Sequence, residues 1–173
     1  QAENHMTVRV DNSVNDRVYP QKADFTFYGG IYRDVTLLVV SKRHFDLDYF
    51  GGPGLRITPA VDGAAGKIRV ESWTNAENPV VEVTLTDAEG NTVASGQGTD
   101  VTLEIPNVHL WDGVKDPYLY TATLRLVENG AVQDEISSRF GVRTFRVDPK
   151  EGFFLNGRPY PLHGVSRHQD RQG

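Results

Sequence analysis

Near the end of the sequence, Gly164-Val165-Ser166-Arg167-His168-Gln169-Asp170-Arg171 gathers two arginines, a histidine, an aspartate and a serine within eight residues. Guanidinium and hydroxyl groups donate to hydroxyls or carboxylates, and the imidazole titrates near neutrality. A ligand rich in such oxygens fits this set, and so does a solvated polar loop. Adjacency argues against nucleophilic catalysis by Ser166 and His168, because a serine nucleophile and its base meet through tertiary structure. His163 and His168 have no further ligand candidates nearby and make a weak zinc proposal.

A second constellation surrounds Asp24, which precedes Phe25, Phe27, Tyr28 and the pair Gly29-Gly30. A carboxylate beside aromatic rings suits a sugar, whose hydroxyls donate to the carboxylate while a ring covers its apolar face. The same residues also read as a strand, with Phe25, Phe27 and Ile31 in a core and the glycines at a bulge or close backbone approach. Arg33-Asp34 reads as an ordering ion pair, and Trp111-Asp112 as a turn before the strand at Leu119.

The elements that must position these groups are strands. Val81, Val83 and Leu85 alternate with Glu82 and Thr84; Tyr120, Ala122, Leu124 and Leu126 alternate with Thr121, Thr123 and Arg125. Shorter stripes occur at Ile68/Val70, Val101/Leu103/Ile105 and Phe145/Val147, and Met6 to Val10 reads as a further strand. Successive strand side chains point to opposite faces, so each stripe marks a half-buried strand. Helical spacing is nowhere sustained. Asp87-Ala88-Glu89-Gly90, Glu128-Asn129-Gly130 and Asn156-Gly157 are hairpin turns between such runs. Short strands at this spacing predict an all-β, immunoglobulin-like antiparallel sandwich over residues 36–147, with Trp73 or Trp111 as candidates for its core. Residues 1–35 and 148–173 flank it, and neither makes a domain alone.

Composition bounds the function. In 173 residues, 18 Lys+Arg oppose 23 Asp+Glu, a net charge of -5, which gives no basic field for nucleic acid or an anionic membrane. The absence of cysteine excludes disulfides and thiolate chemistry but leaves the compartment open. No apolar run is long enough to span a bilayer, and QAENHMTVRV lacks the organisation of a signal peptide. A start without Met and a polar finish read as a piece of something longer.

The motifs YPQKADFTFY (19–28), GGIYRDV (29–35), LWDGVKDPYLYTATLRLVENG (110–130) and RFGVRTFRVDPKEGFFLNGRPYPLHGVSRHQDRQG (139–173) carry a resemblance to glycoside hydrolase family 2. The chain resembles the end of that family's sugar-binding jelly roll (1–35), its immunoglobulin-like domain (36–147), and a hairpin leading into its (β/α)8 barrel (148–173). Within the family, GVSRHQDR most resembles bacterial β-galactosidases; β-glucuronidases and β-mannosidases are the alternatives. The resemblance implies a parent enzyme that cleaves terminal β-D-galactosides with retention, by two glutamates about 5 to 5.5 Å apart.

It also implies roles for three residues of this sequence. His168 lines the sugar subsite, Asp24 reaches into it toward the hydroxymethyl group and a bound monovalent cation, and Arg167 supports the loop. Monovalent and divalent cations are candidates for the parent only; no cofactor is expected in these residues. The family's acid/base lies in an Asn-Glu pair, and no Asn here is followed by Glu. The piece is therefore expected to be an inactive scaffold. Phe25, Phe27, Tyr28 and Ile31, with Phe153 to Leu155, are expected to lose their cover and to promote self-association. Two other readings stand beside this one. A free-standing carbohydrate-binding module would need Asp24, Trp73, Trp111 and Tyr120 on one exposed face; an immunoglobulin-like interaction module would need no sugar at all.

Overall fold

The computed structural model describes residues 3, 5–11, 13, 30, 31 and 34–166. The chain divides into two compact units, Gln1–Val39 and Val40–Gly173. In the first unit, residues 6–10 belong to no strand and expose Met6, Val8 and Val10, contrary to the strand expected there. Alternation alone does not make a strand: the backbone also needs a ladder partner, and none is present among the described residues. Asp24, Phe25, Phe27, Tyr28, Arg33, Arg167 and His168 lie outside the described residues.

The second unit is all-β, with no helix among the described residues. Its strands are β1 (Leu55–Asp62), β2 (Ala65–Ser72), β3 (Val80–Thr86), β4 (Thr92–Gln97), β5 (Asp100–Ile105), β6 (Tyr120–Glu128), β7 (Ala131–Phe140), β8 (Phe145–Asp148), β9 (Gly152–Leu155) and β10 (Arg158–Pro159). Two antiparallel sheets, ordered β1-β2-β5 and β4-β3-β6-β7, form an immunoglobulin-like sandwich. An antibody constant domain has four strands in the sheet containing the first strand and three in the other. Here β4 pairs with β3 instead of β5, which reverses those numbers.

The period-2 stripes face each other as expected. Ile68 and Val70 of β2 and Leu103 and Ile105 of β5 share one buried cluster with Val81, Val83 and Leu85 of β3 and Ala122, Leu124 and Leu126 of β6. Polar and charged residues of the same strands, such as Glu82, Arg69 and Arg125, point outward. Pro59 sits in β1, at the edge of its sheet, where a missing amide donor is tolerated. Neither tryptophan is in the core: Trp73 stacks on Tyr49 with ring centroids 4.1 Å apart, and Trp111 lies beneath the Arg143 guanidinium at 5.1 Å.

Tyr120 opens β6 and is 3% exposed. Its hydroxyl accepts a hydrogen bond of 2.8 Å from the His109 amide, across the loop that joins β5 to β6. This is the tyrosine-corner arrangement of immunoglobulin-like sandwiches, in which the first residues of the sixth strand hold the preceding crossover.

The sandwich ends at Phe140 and the buried Val142. β8 pairs with β9, and β9 with β10, in a separate three-stranded sheet. The Phe145/Val147 stripe, expected to be half-buried, is instead exposed at 66% and 72%. Phe154 and Leu155, expected to lose their cover, are buried. The Arg146 guanidinium covers Phe154 at 3.5 Å from its ring centre, so a charged side chain supplies its shield through the aliphatic stem and cation–π contact.

Burial pushes the Tyr120 phenol above its ordinary pKa. The stability tied to its neutral form is therefore complete below about pH 10 and is lost as pH rises through the higher folded value. Tyr120→Phe should remove this alkaline component and lower stability at neutral pH by about 1–3 kcal/mol, since the His109 amide loses its acceptor. Urea unfolding at pH 7 and pH 11 measures both; an unchanged midpoint at pH 7 would show that the corner bond contributes nothing.

Candidate functional site

Asp24 and His168, expected to meet the sugar, and Arg167, expected to support the loop, lie outside the described residues. What the structure does describe is the support of the chain that runs toward His168, and it is built from parts of the sequence far from one another.

The turn between β9 and β10 places Asn156 and Gly157 at φ of 49° and 78°, the two left-handed positions of a tight hairpin. Asn156 tolerates that backbone and uses its amide to join three segments. Its Oδ1 accepts from the Thr144 amide at 3.0 Å, its own N–H donates to the Thr144 carbonyl at 2.9 Å, and Nδ2 donates to the Trp111 carbonyl at 3.0 Å. The hairpin is thereby tied to both the end of the sandwich and the β5–β6 loop.

That loop supplies the second tie. A terminal guanidinium nitrogen of Arg158 donates to both carboxylate oxygens of Asp112, at 2.7 and 2.6 Å. The Asp112 side chain is only 20% exposed, against 64% for Arg158. The Arg158 hydrogen bond, aided by Arg158 and Lys115 charge and by Asn156, holds the Asp112 carboxyl below its ordinary range against the opposing effect of desolvation. The loop itself is pinned at several points. The Trp111 amide donates to the Val142 carbonyl at 2.8 Å, the Asp112 amide to the Asp116 carbonyl at 2.7 Å, and His109 Nε2 lies 2.6 Å from Asp116 Oδ2.

Close backbone approach completes the junction. Gly113 has φ of 68°, and a Cβ there would collide with the Tyr160 hydroxyl. Gly141 lies so near Trp111 that a Cβ would meet its Cβ at 2.9 Å. A side chain at either position would push Tyr160 or Trp111 out of its place. Asp112, Val114, Arg158, Tyr160, Pro161 and His163 line a groove of about 400 Å³ along this junction.

Reading Trp111-Asp112 as a simple turn missed this junction, because Asp112 and its partner Arg158 are separated by 46 positions. The glycine of Trp111-Asp112-Gly113 was the available signal. Among the described residues no three His, Asp or Glu side chains are placed to hold a metal ion. Tyr120 is buried and spends its hydroxyl on the corner, so it cannot serve the exposed aromatic face that a free-standing carbohydrate-binding module would need.

Comparison with known proteins adds a second kind of observation. The family described as glycosyl hydrolases family 2 matches residues 53–143. A curated β-glucuronidase from Bacteroides fragilis is 34% identical over 97% of this chain and 26% of its own length. The β-galactosidase BoGH2A of Bacteroides ovatus is 35% identical over 96% of this chain and 20% of its own length. A solved FMN-binding β-glucuronidase from Facaelibacterium prausnitzii L2-6 superimposes with a TM-score of 0.83 at 41% identity, over 92% of this chain and 26% of that one. The chain thus spans between a fifth and about a quarter of the length of these relatives.

The Asp112 carboxyl titrates lower in the folded state than when unfolded, so its contribution is present above about pH 4 and is lost as pH falls through the lower folded value. In a Trp73→Phe background, Trp111 fluorescence should hold steady down to about pH 4 and change below it. Asp112→Asn should remove that transition. A transition that survives in Asp112→Asn would assign it to another carboxylate.

Proposed function

The chain belongs to glycosyl hydrolases family 2, and on that premise we propose that it is the non-catalytic scaffold portion of a retaining β-glycosidase acting on terminal β-D-glucuronides. In this reading residues 1–35 come from a sugar-binding jelly roll, residues 36–147 are the immunoglobulin-like scaffold, and residues 148–173 lead into the catalytic barrel. The likeness to the solved β-glucuronidase over nearly the whole chain carries the choice of sugar. The β-galactoside expected from GVSRHQDR is the second reading, favoured by the identity to the Bacteroides ovatus β-galactosidase.

The chemistry needs two carboxylates about 5.5 Å apart, one as nucleophile and one as acid/base. The strongly held carboxylates of this chain are engaged elsewhere. Glu71 accepts from Arg56 at 2.7 and 2.6 Å, Asp100 from Arg69 at 2.9 and 2.7 Å, and Asp112 from Arg158. Each of these three carboxyls is held below its ordinary pKa, chiefly by its arginine, which suits neither a proton donor near neutrality nor a free nucleophile. Asp24 and His168 are proposed to contact the sugar, with Asp24 the candidate ligand for a monovalent cation, and Arg167 to support the loop that carries His168. Glucuronate carries a carboxylate where galactose carries a hydroxymethyl group, so cations around the subsite discriminate the two readings.

The test is hydrolysis of nitrophenyl β-D-glucuronide and β-D-galactoside by the full-length polypeptide and by these 173 residues alone. Full-length protein should prefer the glucuronide by about 100-fold or more in kcat/KM, a discrimination typical of a site built around a polar group. The shorter chain should hydrolyse neither. The opposite preference installs the galactoside reading, and a full-length protein inactive on both sinks the enzyme reading.

We further propose that the shorter chain self-associates through apolar side chains that the longer polypeptide covers. Ile31 in the first flank, and Phe145 and Val147 at the end of the sandwich span, are among the exposed apolar side chains of the described residues. Sedimentation velocity should show a dimer that Phe145→Ser with Val147→Ser abolishes; a concentration-independent monomer counts against it.

A further inference from the structure

We propose that Asp112 is a positioning residue for turnover: acting through Arg158, it fixes the direction in which the chain leaves the three-stranded sheet toward the Gly164–Arg171 cluster. The inference rests on the reading of the full-length protein as a retaining β-glycosidase.

Beyond the Asn156-Gly157 turn, β10 and the two residues after it read Arg158-Pro159-Tyr160-Pro161. Each proline fixes its own φ and biases the residue before it to extended backbone, so the four residues form a stiff spacer with few soft torsions. A stiff spacer transmits the direction of its root to whatever it carries. Both halves of this one are held. Arg158 is gripped by Asp112, while the Tyr160 amide donates to the Phe153 carbonyl at 2.9 Å and its hydroxyl accepts from the Val114 amide at 3.4 Å. His163, at the far end, lines the same groove as Asp112 and Arg158.

Asp112 is the fixed member of its pair. Its side chain is largely covered, its amide is bonded to Asp116, and its neighbour Trp111 is bonded to Val142. Arg158 is the adaptable member: its backbone pairs with Leu155 in the β9–β10 ladder, but its exposed side chain is held by Asp112. Removal of the carboxylate frees the Arg158 side chain and leaves the spacer held by the short β9–β10 ladder and by Tyr160, without its tie to the β5–β6 loop. The pair also lies outside the apolar cluster of the sandwich, so breaking it leaves the core contacts intact. Loss of direction is thus separable from loss of fold.

The experiment is steady-state hydrolysis by the full-length enzyme carrying Asp112→Asn, Arg158→Gln or Asp112→Glu. Active sites are counted with a 2-deoxy-2-fluoro glycoside that traps the covalent intermediate, and thermal unfolding is followed in parallel. Asp112→Asn and Arg158→Gln should each lower kcat per titrated site by about 10- to 100-fold, the scale of a misplacement of about 1 Å. KM should move by less than about threefold, and Asp112→Glu, which keeps the carboxylate, should stay within about threefold of wild type. Should Asp112→Asn fold poorly, Arg158→Gln carries the test alone, since the Arg158 side chain is mostly solvent-exposed. Wild-type turnover per titrated site in Arg158→Gln overturns the proposal, even if thermal stability falls. A wild-type enzyme that hydrolyses no β-glycoside instead removes the reading on which the proposal rests.

Discussion

The hydrogen bond between the Tyr120 hydroxyl and the His109 amide sits where the interior of the sandwich meets the one long loop that reaches beyond it. The phenol ring belongs to the core, so its position is set by the packing of β6 against β2, β3 and β5. The hydroxyl passes that position to the backbone of the β5–β6 loop. From there, Trp111, Asp112 and Val114 bond to Val142, Arg158 and Tyr160 in turn. Without the corner, the loop would keep its ties at Trp111 and Asp112 but lose the one that joins its start to the core. Stability of the core is thus converted into definition of a junction some distance from it.

The two classes of ion pair in the molecule have different physical meaning. Arg125–Glu135 and Lys67–Asp62 join side chains that are about half exposed, on the outer faces of paired strands. Water screens such pairs, and each contributes little, typically below about 1 kcal/mol. Asp112 is mostly covered, and its partner comes from a different sheet. A pair of that kind selects one relative arrangement of two elements, because no other arrangement provides the carboxylate with its donor. Its value lies in orientation more than in folding free energy.

Much of the sandwich was legible from residue order. The stripes on β2, β3, β5 and β6 named their buried residues, and Asn129-Gly130 and Asn156-Gly157 named their turns through the left-handed backbone each requires. Period-2 alternation fixes which face a side chain takes, but it carries no information about which strand lies alongside. The pairing of β4 with β3 was therefore invisible, as was the assignment of β8 to a separate sheet, where Phe145 and Val147 face outward. The Asp112–Arg158 pair was hidden for the same reason: long-range partners leave no local trace. Asp24 and His168 were singled out by side-chain chemistry and by family resemblance, and they fall outside the described residues.

Pro59 in edge strand β1 has a further consequence. A polypeptide made of several β-rich units in series risks strand exchange between neighbours while it is being synthesised, when one unit has folded and the next has not. A proline interrupts the row of outward amides on which an unfinished strand could template itself. With that row broken, an incoming strand finds no continuous ladder on β1, and one imino acid on the rim makes this edge a poor template for strand addition.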